Sequence, residues 1–308
     1  MPYGGNGYTF ERVPNWAELP SGESFVDVCT VRVDERDHVW VLSRAEHPIM
    51  EFGPNGERLA AWGAEYATGR PHGMCLAADG TIWWTDDDAH VIRQFDRDGS
   101  LRQTIESAAS PTDTGYFPSD AYWESVAAIE RAAGPFNRPT GVAVGADGDV
   151  FISDGYGNAR VHVFDADGDH LDSWGTPGAG PGQFRIPHAI VRDGRTLWVA
   201  DRENSRLQAF DEDGAVLDEW IDVIRPTDVC FDDDTVVVSE LARRVSILDD
   251  TGRVITRIAN DPARDPVFVA PHTVAVDSED DLYVGEVAVT HAGVDRGANT
   301  LQKFRRVV

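Results

Sequence analysis

The sequence predicts an all-β protein, a six-bladed β-propeller formed as one domain over residues 1–308. Three observations support this fold class. A pattern of short apolar runs recurs about every 40–45 residues. Asp-Gly and Thr-Gly pairs separate the runs, as they do in antiparallel hairpins. Each copy holds four runs, which is the number of strands in a propeller blade.

Five copies of the pattern align closely. Each begins with an apolar run, continues through an Asp/Gly turn, and ends its second run near Asp or Glu. The copies are RPHGMCLAADGTIWWTDD (70–87), RPTGVAVGADGDVFISDG (138–155), IPHAIVRDGRTLWVADR (186–202), RPTDVCFDDDTVVVSEL (225–241) and APHTVAVDSEDDLYVGE (270–286). A sixth, looser copy is VCTVRVDERDHVWVLSR (28–44).

The last copy is incomplete, because only three apolar runs follow residue 270. The N-terminal run YTFERV (8–13) has the alternation of a strand. We therefore expect this run to add the missing outer strand of the sixth blade, which would also cover an open sheet edge.

Residues 107–135 interrupt the repeat between the second and third blades. Within them, SDAYWESVAAIERAAG (119–134) predicts a short helix that is capped by Ser119 and stopped by Gly134. Long loops are often functional. Two interpretations of the insertion stay open, a lid over the site and a plain helical decoration.

Composition excludes several partners. The formal charge of −26 repels phosphate backbones and anionic lipid, so neither nucleic acid nor membrane is expected to bind. The three cysteines, Cys29, Cys75 and Cys230, lie inside apolar runs and are interpreted as buried thiols rather than a disulfide framework. The N-terminus lacks the pattern of a signal peptide, so we expect a cytoplasmic protein. The oligomeric state is left open.

Three copies carry histidine directly after proline at the start of the first run. Aligning all six copies places one residue per blade at this position, namely Cys29, His72, Thr140, His188, Thr227 and His272. First strands line the channel of a propeller, so histidines from every second blade would converge on its axis. Three imidazoles with an open fourth position are typical of a catalytic zinc site, although another divalent transition metal also fits. The alternative is that each histidine is a structural residue.

A second group of polar residues follows the second run of three copies. Arg44, Tyr156 and Arg202 stand in the segments SRAEHP (43–48), SDGYGNAR (153–160) and ADRENSR (200–206). Arginines there can bind a carboxylate, and a tyrosine beside cations can act as a base. Solvated hairpin turns are the alternative interpretation.

The segment from 136 to 210 resembles the peptidyl-α-hydroxyglycine α-amidating lyases. Its most specific elements are SDGYGNAR, the run WGTPGAGPGQFRIPH (174–188) and ADREN. The likeness is looser over 25–106 and weak over 268–305. General NHL-repeat propellers share the blade pattern but seldom all three elements.

This resemblance implies a six-bladed propeller with zinc held by His72, His188 and His272. It implies Tyr156 as the catalytic tyrosine, with Arg44 and Arg202 as the arginines of the substrate site. The implied reaction splits a carbinolamide, R–CO–NH–CH(OH)–COO⁻, into an amide and glyoxylate. The implied partner is therefore a small molecule that carries a carboxylate.

Some positions depart from the family. The resemblance implies a calcium ion bound by the backbone carbonyls of Val31 and Met74 and by an aspartate where this chain has Thr273, which puts calcium in doubt. A pocket methionine of the family is Ala270 here, which alters the pocket wall. Blade six carries an insertion at 287–298, and the 107–135 link is longer than the family's.

Both cysteine pairs of the family are also replaced. The residues at those positions are Asn137 with Gly157, and Trp198 with Ala209. Loss of whole pairs is what a reducing compartment predicts. No monooxygenase domain is found on this chain, so the expected substrate is a small N-acyl or N-carbamoyl α-hydroxyglycine rather than a secreted peptide.

Two other functions fit the same blade pattern. A propeller lactonase or related metal hydrolase would collect Glu, Asn and Asp around calcium rather than three histidines. A non-catalytic NHL-repeat scaffold would bind a protein on its surface and would need no metal. The histidine register and the Tyr156 group favour the lyase.

Overall fold

The computed structural model describes residues 2–66, 68–106, 111–263 and 266–307. Over these residues the chain is an all-β, six-bladed β-propeller, which confirms the predicted fold class. Six antiparallel sheets follow one another along the described ranges, five with four strands and the last with five.

The strand bounds follow the repeat. The N-terminal strands are β1 (Tyr3–Gly5) and β2 (Tyr8–Val13). The first sheet comprises β3 (Val28–Val33), β4 (Val39–Ser43), β5 (Ile49–Phe52) and β6 (Arg58–Trp62). The second comprises β7 (Pro71–Leu76), β8 (Ile82–Asp86), β9 (Val91–Phe95) and β10 (Leu101–Glu106).

The third sheet comprises β11 (Pro139–Val144), β12 (Val150–Asp154), β13 (Arg160–Phe164) and β14 (His170–Trp174). A small parallel pair follows, β15 (Thr176–Pro177) and β16 (Gln183–Phe184). The fourth comprises β17 (Pro187–Asp193), β18 (Thr196–Asp201), β19 (Arg206–Phe210) and β20 (Val216–Trp220).

The fifth sheet comprises β21 (Pro226–Asp232), β22 (Thr235–Glu240), β23 (Arg244–Asp249) and β24 (Val254–Ala259). The sixth comprises β25 (Pro271–Val276), β26 (Leu282–Glu286) and β27 (Leu301–Arg306), joined by β2 and β1. The predicted N-terminal strand is confirmed, because Phe10 in β2 pairs with Arg306 in β27. Strand β1 adds a fifth position that the repeat did not predict.

Contacts divide the chain into two compact units. The first unit comprises Met1–Gly69 with Asp222–Val308, and the second comprises Arg70–Ile221. The first unit contains the first, fifth and sixth sheets, and the second unit contains the second, third and fourth. Within each unit, the first strands of its three sheets are neighbours. A single domain over residues 1–308 stays a prediction.

Burial falls from the first two strands of a sheet to the last. Strand β12 is buried along its whole length, whereas β14 and β20 are largely exposed. Strands buried on both faces lose the alternation of polar and apolar residues. This is why the inner strands appear in the sequence as continuous apolar runs, while the outer strands carry charges.

The helical insertion is present but shorter than predicted. Helix α1 spans Tyr122–Ala127, and Ser119 does not cap it, because Ala121 occupies the cap position. The amides of Glu130 and Arg131 bond to the carbonyl of Thr114, so the intrahelical ladder cannot continue to Gly134. The first four residues of the predicted insertion, 107–110, lie outside the described residues. We call residues 111–135 the first insertion.

The insertion at 287–298 is partly helical, which the sequence did not indicate. Helix α2 spans Ala288–Ala292 and ends at Gly293, whose φ is +67°. We call residues 287–298 the second insertion. Three short 3₁₀ turns complete the described secondary structure, at Ala64–Tyr66, Arg202–Asn204 and Gly297–Thr300.

The three cysteines are thiols that form no disulfide, and only one of them is fully buried as the sequence predicted. Cys29 is buried, and Cys75 and Cys230 are half-buried. Burial raises the pKa of the Cys230 thiol to about 11, so it stays protonated at neutral pH. Among the described helices, none has the length and apolar character needed to cross a bilayer.

Candidate active site

A β-bulge recurs near the start of the first strand of every sheet. The ladder register shifts there, and the pairing with the neighbouring strand skips the residue after the opening position. A bulge of this kind re-aims the side chain of the extra residue. We call the six residues at this position the bulge residues: Cys29, His72, Thr140, His188, Thr227 and His272. They are the six that the sequence alignment of the copies selected.

Within the second unit, hydrogen bonds link the strand starts that carry successive bulge residues. His72 is 2 % exposed, and its Nδ1 lies 2.6 Å from the carbonyl oxygen of Thr140. Thr140 in turn donates its hydroxyl to the carbonyl of Pro187, 2.6 Å away, just before His188. Because a carbonyl only accepts, Nδ1 of His72 carries the proton. The neutral ring then has its lone pair on Nε2, which is the form that a metal requires.

Tyr156 lies against His72 and His188, the two predicted metal ligands in this unit. Its hydroxyl oxygen is 2.9 Å from Nε2 of His72 and 3.0 Å from Nε2 of His188. The rings of the two histidines are 4.7 Å apart between centroids. A phenol carries one proton, so it can donate to only one of the two nitrogens at a time. The contact places a proton donor and acceptor directly beside the predicted metal ligands.

Two glycines explain how the loop after β12 holds Tyr156. A Cβ on Gly155 would lie 2.1 Å from the carbonyl oxygen of Pro187, and a Cβ on Gly157 would lie 2.1 Å from Oδ1 of Asn137. The Tyr156 amide also donates to the Arg138 carbonyl at 3.2 Å. The sequence Gly-Tyr-Gly therefore lets the loop approach its neighbours closely enough to direct the tyrosine ring at the histidines.

Arg202 lies on the other side of the Tyr156 hydroxyl. Its Nη1 donates to that oxygen at 3.3 Å, and its Nε donates to Oε1 of Glu203 at 2.9 Å. Burial alone would lower the pKa of Arg202, but Tyr122, Tyr156 and Glu203 more than offset this and raise it. The guanidinium therefore stays charged although only 4 % of the residue is exposed. Asp201, just before it, accepts a bond from Nε of Arg206 at 2.8 Å and is structural.

Arg138 is a residue of this site that the sequence did not indicate. Its guanidinium carbon lies 5.9 Å from the ring centroid of Tyr156, and its Nη2 donates to Oδ1 of Asp87 at 2.7 Å. Its backbone adopts a φ of +65° immediately before Pro139. The available signal was the Arg-Pro pair that opens the third copy. Arg138 is brought close to Tyr156 by the backbone bond from the Tyr156 amide to the Arg138 carbonyl, which no local pattern shows.

The first insertion reaches the same site. The Tyr116 hydroxyl accepts a bond from Nη1 of Arg138 at 2.8 Å. The Tyr122 hydroxyl accepts one from Nη2 of Arg202 at 2.6 Å. Thr114 anchors the segment by donating its hydroxyl to the carbonyl of Gly157 at 2.5 Å. The sequence left two interpretations of the insertion open, a lid over the site and a plain helical decoration. A plain decoration does not account for these contacts with the two arginines.

The remaining predicted residues lie in the first unit. His272 is 4 % exposed, and its Nδ1 lies 2.8 Å from the carbonyl of Cys29, which repeats the arrangement of His72. Arg44 donates from Nη1 to Oδ2 of Asp27 at 3.0 Å and to the hydroxyl of Thr290 at 2.7 Å. Thr290 belongs to the second insertion. The Arg44 guanidinium is therefore held by the Asp27 carboxylate and by the Thr290 hydroxyl of the second insertion.

The histidines suit a metal by their chemistry. His72, His188 and His272 are three buried histidines that could hold a metal ion. Two of them direct Nδ1 at a backbone carbonyl, which is the usual outer partner of a metal-bound imidazole. The residues present therefore fit a transition metal that prefers nitrogen ligands.

The position that the resemblance assigns to calcium is arranged differently. Nη1 of Arg32 donates to the carbonyl oxygen of Val31 at 2.8 Å and to Oδ2 of Asp228 at 2.7 Å. Thr273 donates its hydroxyl to the same Asp228 oxygen at 2.6 Å. A guanidinium thus bonds the carbonyl that calcium would use, and a hydroxyl replaces the carboxylate ligand.

Comparison with known proteins supports this view of the chain. The NHL repeat model matches residues 136–164 and 184–210. The chain is 32% identical over 168 residues to the rat peptidylglycine α-amidating monooxygenase, covering 51% of this chain and 15% of that protein. It is 28% identical over 167 residues to a probable peptidyl-α-hydroxyglycine α-amidating lyase of Caenorhabditis elegans, covering 53% of this chain and 40% of the relative.

Solved structures show the same fold at low sequence identity. A streptogramin B lyase superposes with a TM-score of 0.62 and 12% identity, covering 97% of this chain and 98% of the other. A virginiamycin B lyase from Staphylococcus aureus superposes with a TM-score of 0.60 and 14% identity, covering 98% of this chain and all of the other. At these identities the likeness concerns the fold alone.

The chain is a six-bladed β-propeller whose third and fourth sheets match the NHL repeat model. Some of the curated proteins that it matches are named as peptidyl-α-hydroxyglycine α-amidating lyases. The chain is thus a relative of the peptidyl-α-hydroxyglycine α-amidating lyases. It spans well under two thirds of the rat and worm proteins that it matches.

Proposed function

We propose that this chain is a metal-dependent carbon–nitrogen lyase that cleaves an N-substituted α-hydroxyglycine into an amide and glyoxylate. One observation carries the proposal. The Tyr156 hydroxyl lies within hydrogen-bond distance of Nε2 of His72, Nε2 of His188 and Nη1 of Arg202. In this proposal the phenolic oxygen transfers the proton, the two histidines are metal ligands and the arginine binds the substrate carboxylate. The relatives named as α-amidating lyases support the same chemistry.

In this proposal His72, His188 and His272 hold one divalent transition metal, with zinc the favoured ion. All three are bulge residues of alternate sheets, the second, fourth and sixth. The Nδ1 bonds of His72 and His272 leave Nε2 as the ligating nitrogen. When bound, the metal supplies positive charge that polarises the substrate oxygens.

Arg202 is proposed to bind the substrate carboxylate, with Arg44 as the second arginine. Arginine suits this task because its planar fork matches the two oxygens of a carboxylate. Arg202 is buried and charged, which strengthens an ionic contact relative to one in water. A negatively charged substrate then remains beside Tyr156 while the reaction proceeds.

Tyr156 is proposed to act as the base. The ionised phenol takes the proton of the substrate hydroxyl, and the oxygen forms a C=O bond while the C–N bond breaks. The bonding pair leaves with nitrogen, which receives the proton back from Tyr156 to give the neutral amide. No oxidant or reductant is needed, since glyoxylate and the amide together contain all atoms of the substrate. Nη1 of Arg202 donates to the phenolic oxygen at 3.3 Å.

The substrate is proposed to be a small N-acyl or N-carbamoyl α-hydroxyglycine, acted on in the cytoplasm. Three thiols that form no disulfide are consistent with a reducing compartment.

The proposal is tested by glyoxylate release from N-acetyl-, N-benzoyl- and N-carbamoyl-α-hydroxyglycine, using protein whose metal content has been measured. We expect equal amounts of glyoxylate and amide, loss of turnover after chelation, and recovery on adding zinc. Metal-loaded protein that releases no glyoxylate from any of the three would refute the function.

A further inference from the structure

The first insertion supplies two tyrosine hydroxyls to the two arginines that flank Tyr156. Tyr116 contacts Arg138 and Tyr122 contacts Arg202. Both guanidinium groups lie within 6 Å of the Tyr156 ring centroid, at 5.9 and 5.3 Å. Nothing in the repeat requires an insertion here, so its contacts with both arginines indicate a role in the site.

The Tyr122 hydroxyl closes a ring of hydrogen bonds. It accepts from Nη2 of Arg202 at 2.6 Å and donates to Oε1 of Glu203 at 2.6 Å. The same carboxylate oxygen accepts from Nε of Arg202 at 2.9 Å. The side chain of Glu203 is fully buried. The guanidinium is therefore held at Nε and Nη2 and cannot rotate without breaking a charged bond.

The pKa of Tyr122 supports the assignment of its hydroxyl as the donor to Glu203 and the acceptor from Arg202. Desolvation and the neighbouring Glu203 raise its pKa to about 12, although Arg202 acts in the opposite direction. The hydroxyl thus keeps its proton at neutral pH and donates it to Glu203. Its lone pair remains for Arg202.

The bonds to Glu203 and Tyr122 determine which edge of the Arg202 guanidinium is left for the substrate. Glu203 and the Tyr122 hydroxyl occupy the edge formed by Nε and Nη2. The second two-nitrogen edge, Nη1 with Nη2, borders Tyr156. A carboxylate bound by this edge would lie next to the phenolic oxygen.

We propose that Tyr122 is a positioning residue, which aims the Nη1–Nη2 edge of Arg202 at the substrate carboxylate. The inference rests on the proposed function for the identity of the substrate, but the carboxylate contact can be measured without turnover. It makes the first insertion a part of the active site.

The test compares Tyr122→Phe with wild type in binding N-acetylglycine, which has the amide and the carboxylate but no hydroxyl to react. N-acetylglycinamide, which lacks the carboxylate, is the second probe. We expect Tyr122→Phe to weaken N-acetylglycine binding about tenfold, as loss of a bond to a charged group does. N-acetylglycinamide binding should not change. In turnover, KM should rise about tenfold while kcat changes less.

Tyr8→Phe is the matched control, since it removes the same phenolic hydroxyl from strand β2 and leaves the first insertion unchanged. It should bind both probes as wild type does, and thermal melts should show both variants folded. Equal N-acetylglycine affinity in Tyr122→Phe and wild type would overturn the inference. An equal loss of affinity for both probes would also overturn the inference, because Tyr122 would then only shape the wall of the pocket. If the two affinities separate as expected but no variant or wild type releases glyoxylate, the positioning role stands and the proposed function fails.

Discussion

The hydroxyl oxygen of Tyr156 lies 2.9 Å from Nε2 of His72. The opposite nitrogen of the same ring lies 2.6 Å from the carbonyl oxygen of Thr140. The backbone of one sheet thus sets the tautomer of a histidine in another, and that tautomer exposes a lone pair to the tyrosine. The predictions below follow from this chain of contacts and from the residues that hold it in place.

Replacing Tyr156 by Phe should abolish most turnover and leave the fold intact. The ring stays, but the oxygen proposed to carry the proton is lost, and such groups contribute about 100-fold or more to rate. Glyoxylate release and bound metal should both be measured, with metal content expected at the wild-type level. Tyr8→Phe, in β2, serves as the control and should behave as wild type. Unchanged turnover in Tyr156→Phe would remove the tyrosine from the mechanism.

Replacing His188 by Ala should strip the metal together with the activity. His188 is 1 % exposed at a bulge, and a three-histidine site that loses one ligand binds its metal far more weakly. Elemental analysis of dialysed protein measures the metal directly. His170→Ala is the matched control, because that histidine is exposed on β14. A His188→Ala protein with full metal and full turnover would contradict the assignment.

Replacing Gly155 by Ala should destabilise the protein and displace Tyr156. The new Cβ would lie 2.1 Å from the Pro187 carbonyl oxygen and 3.0 Å from Oγ1 of Thr140, so the loop must move. We expect the free energy of unfolding to fall by about 1–3 kcal/mol, with reduced turnover in the folded fraction. Urea unfolding measures the first effect. Gly134→Ala is the control, since nothing lies within 4 Å of its Cβ position. Equal stability of the two variants would argue against the close approach.

The thermal stability of the protein should not depend on calcium. Because Arg32 bonds both the Val31 carbonyl and Asp228, we expect a calcium chelator to leave Tm unchanged. Arg32→Ala should lower the free energy of unfolding by about 2 kcal/mol, as expected for lost bonds between charged groups. Arg305→Ala, which breaks an exposed pair with Glu11, should change it by about 0.5 kcal/mol or less. A fall of the wild-type Tm on chelation, reversed by calcium, would show that an ion does bind.

Sequence reasoning was most successful where the information is local. Alternation and Asp-Gly turns predicted four strands in each of the six sheets, and aligning the copies located the bulge residues. It was wrong about the extent of helix α1. The sequence predicted that the helix runs from Ser119 to Gly134. It gave no sign that the Thr114 carbonyl accepts hydrogen bonds from the amides of Glu130 and Arg131, which end the helix early.

The sequence by itself determined the number of blades, the N-terminal strand in the sixth sheet, and the position that carries His72, His188 and His272. These follow from periodicity within about 45 residues, which each copy repeats. Only the tertiary structure decided that Tyr156 meets His72, that Arg138 flanks it, and that Tyr122 holds Arg202. Those pairs join residues from different sheets or from an insertion, and their approach depends on packing between segments that lie far apart in the sequence.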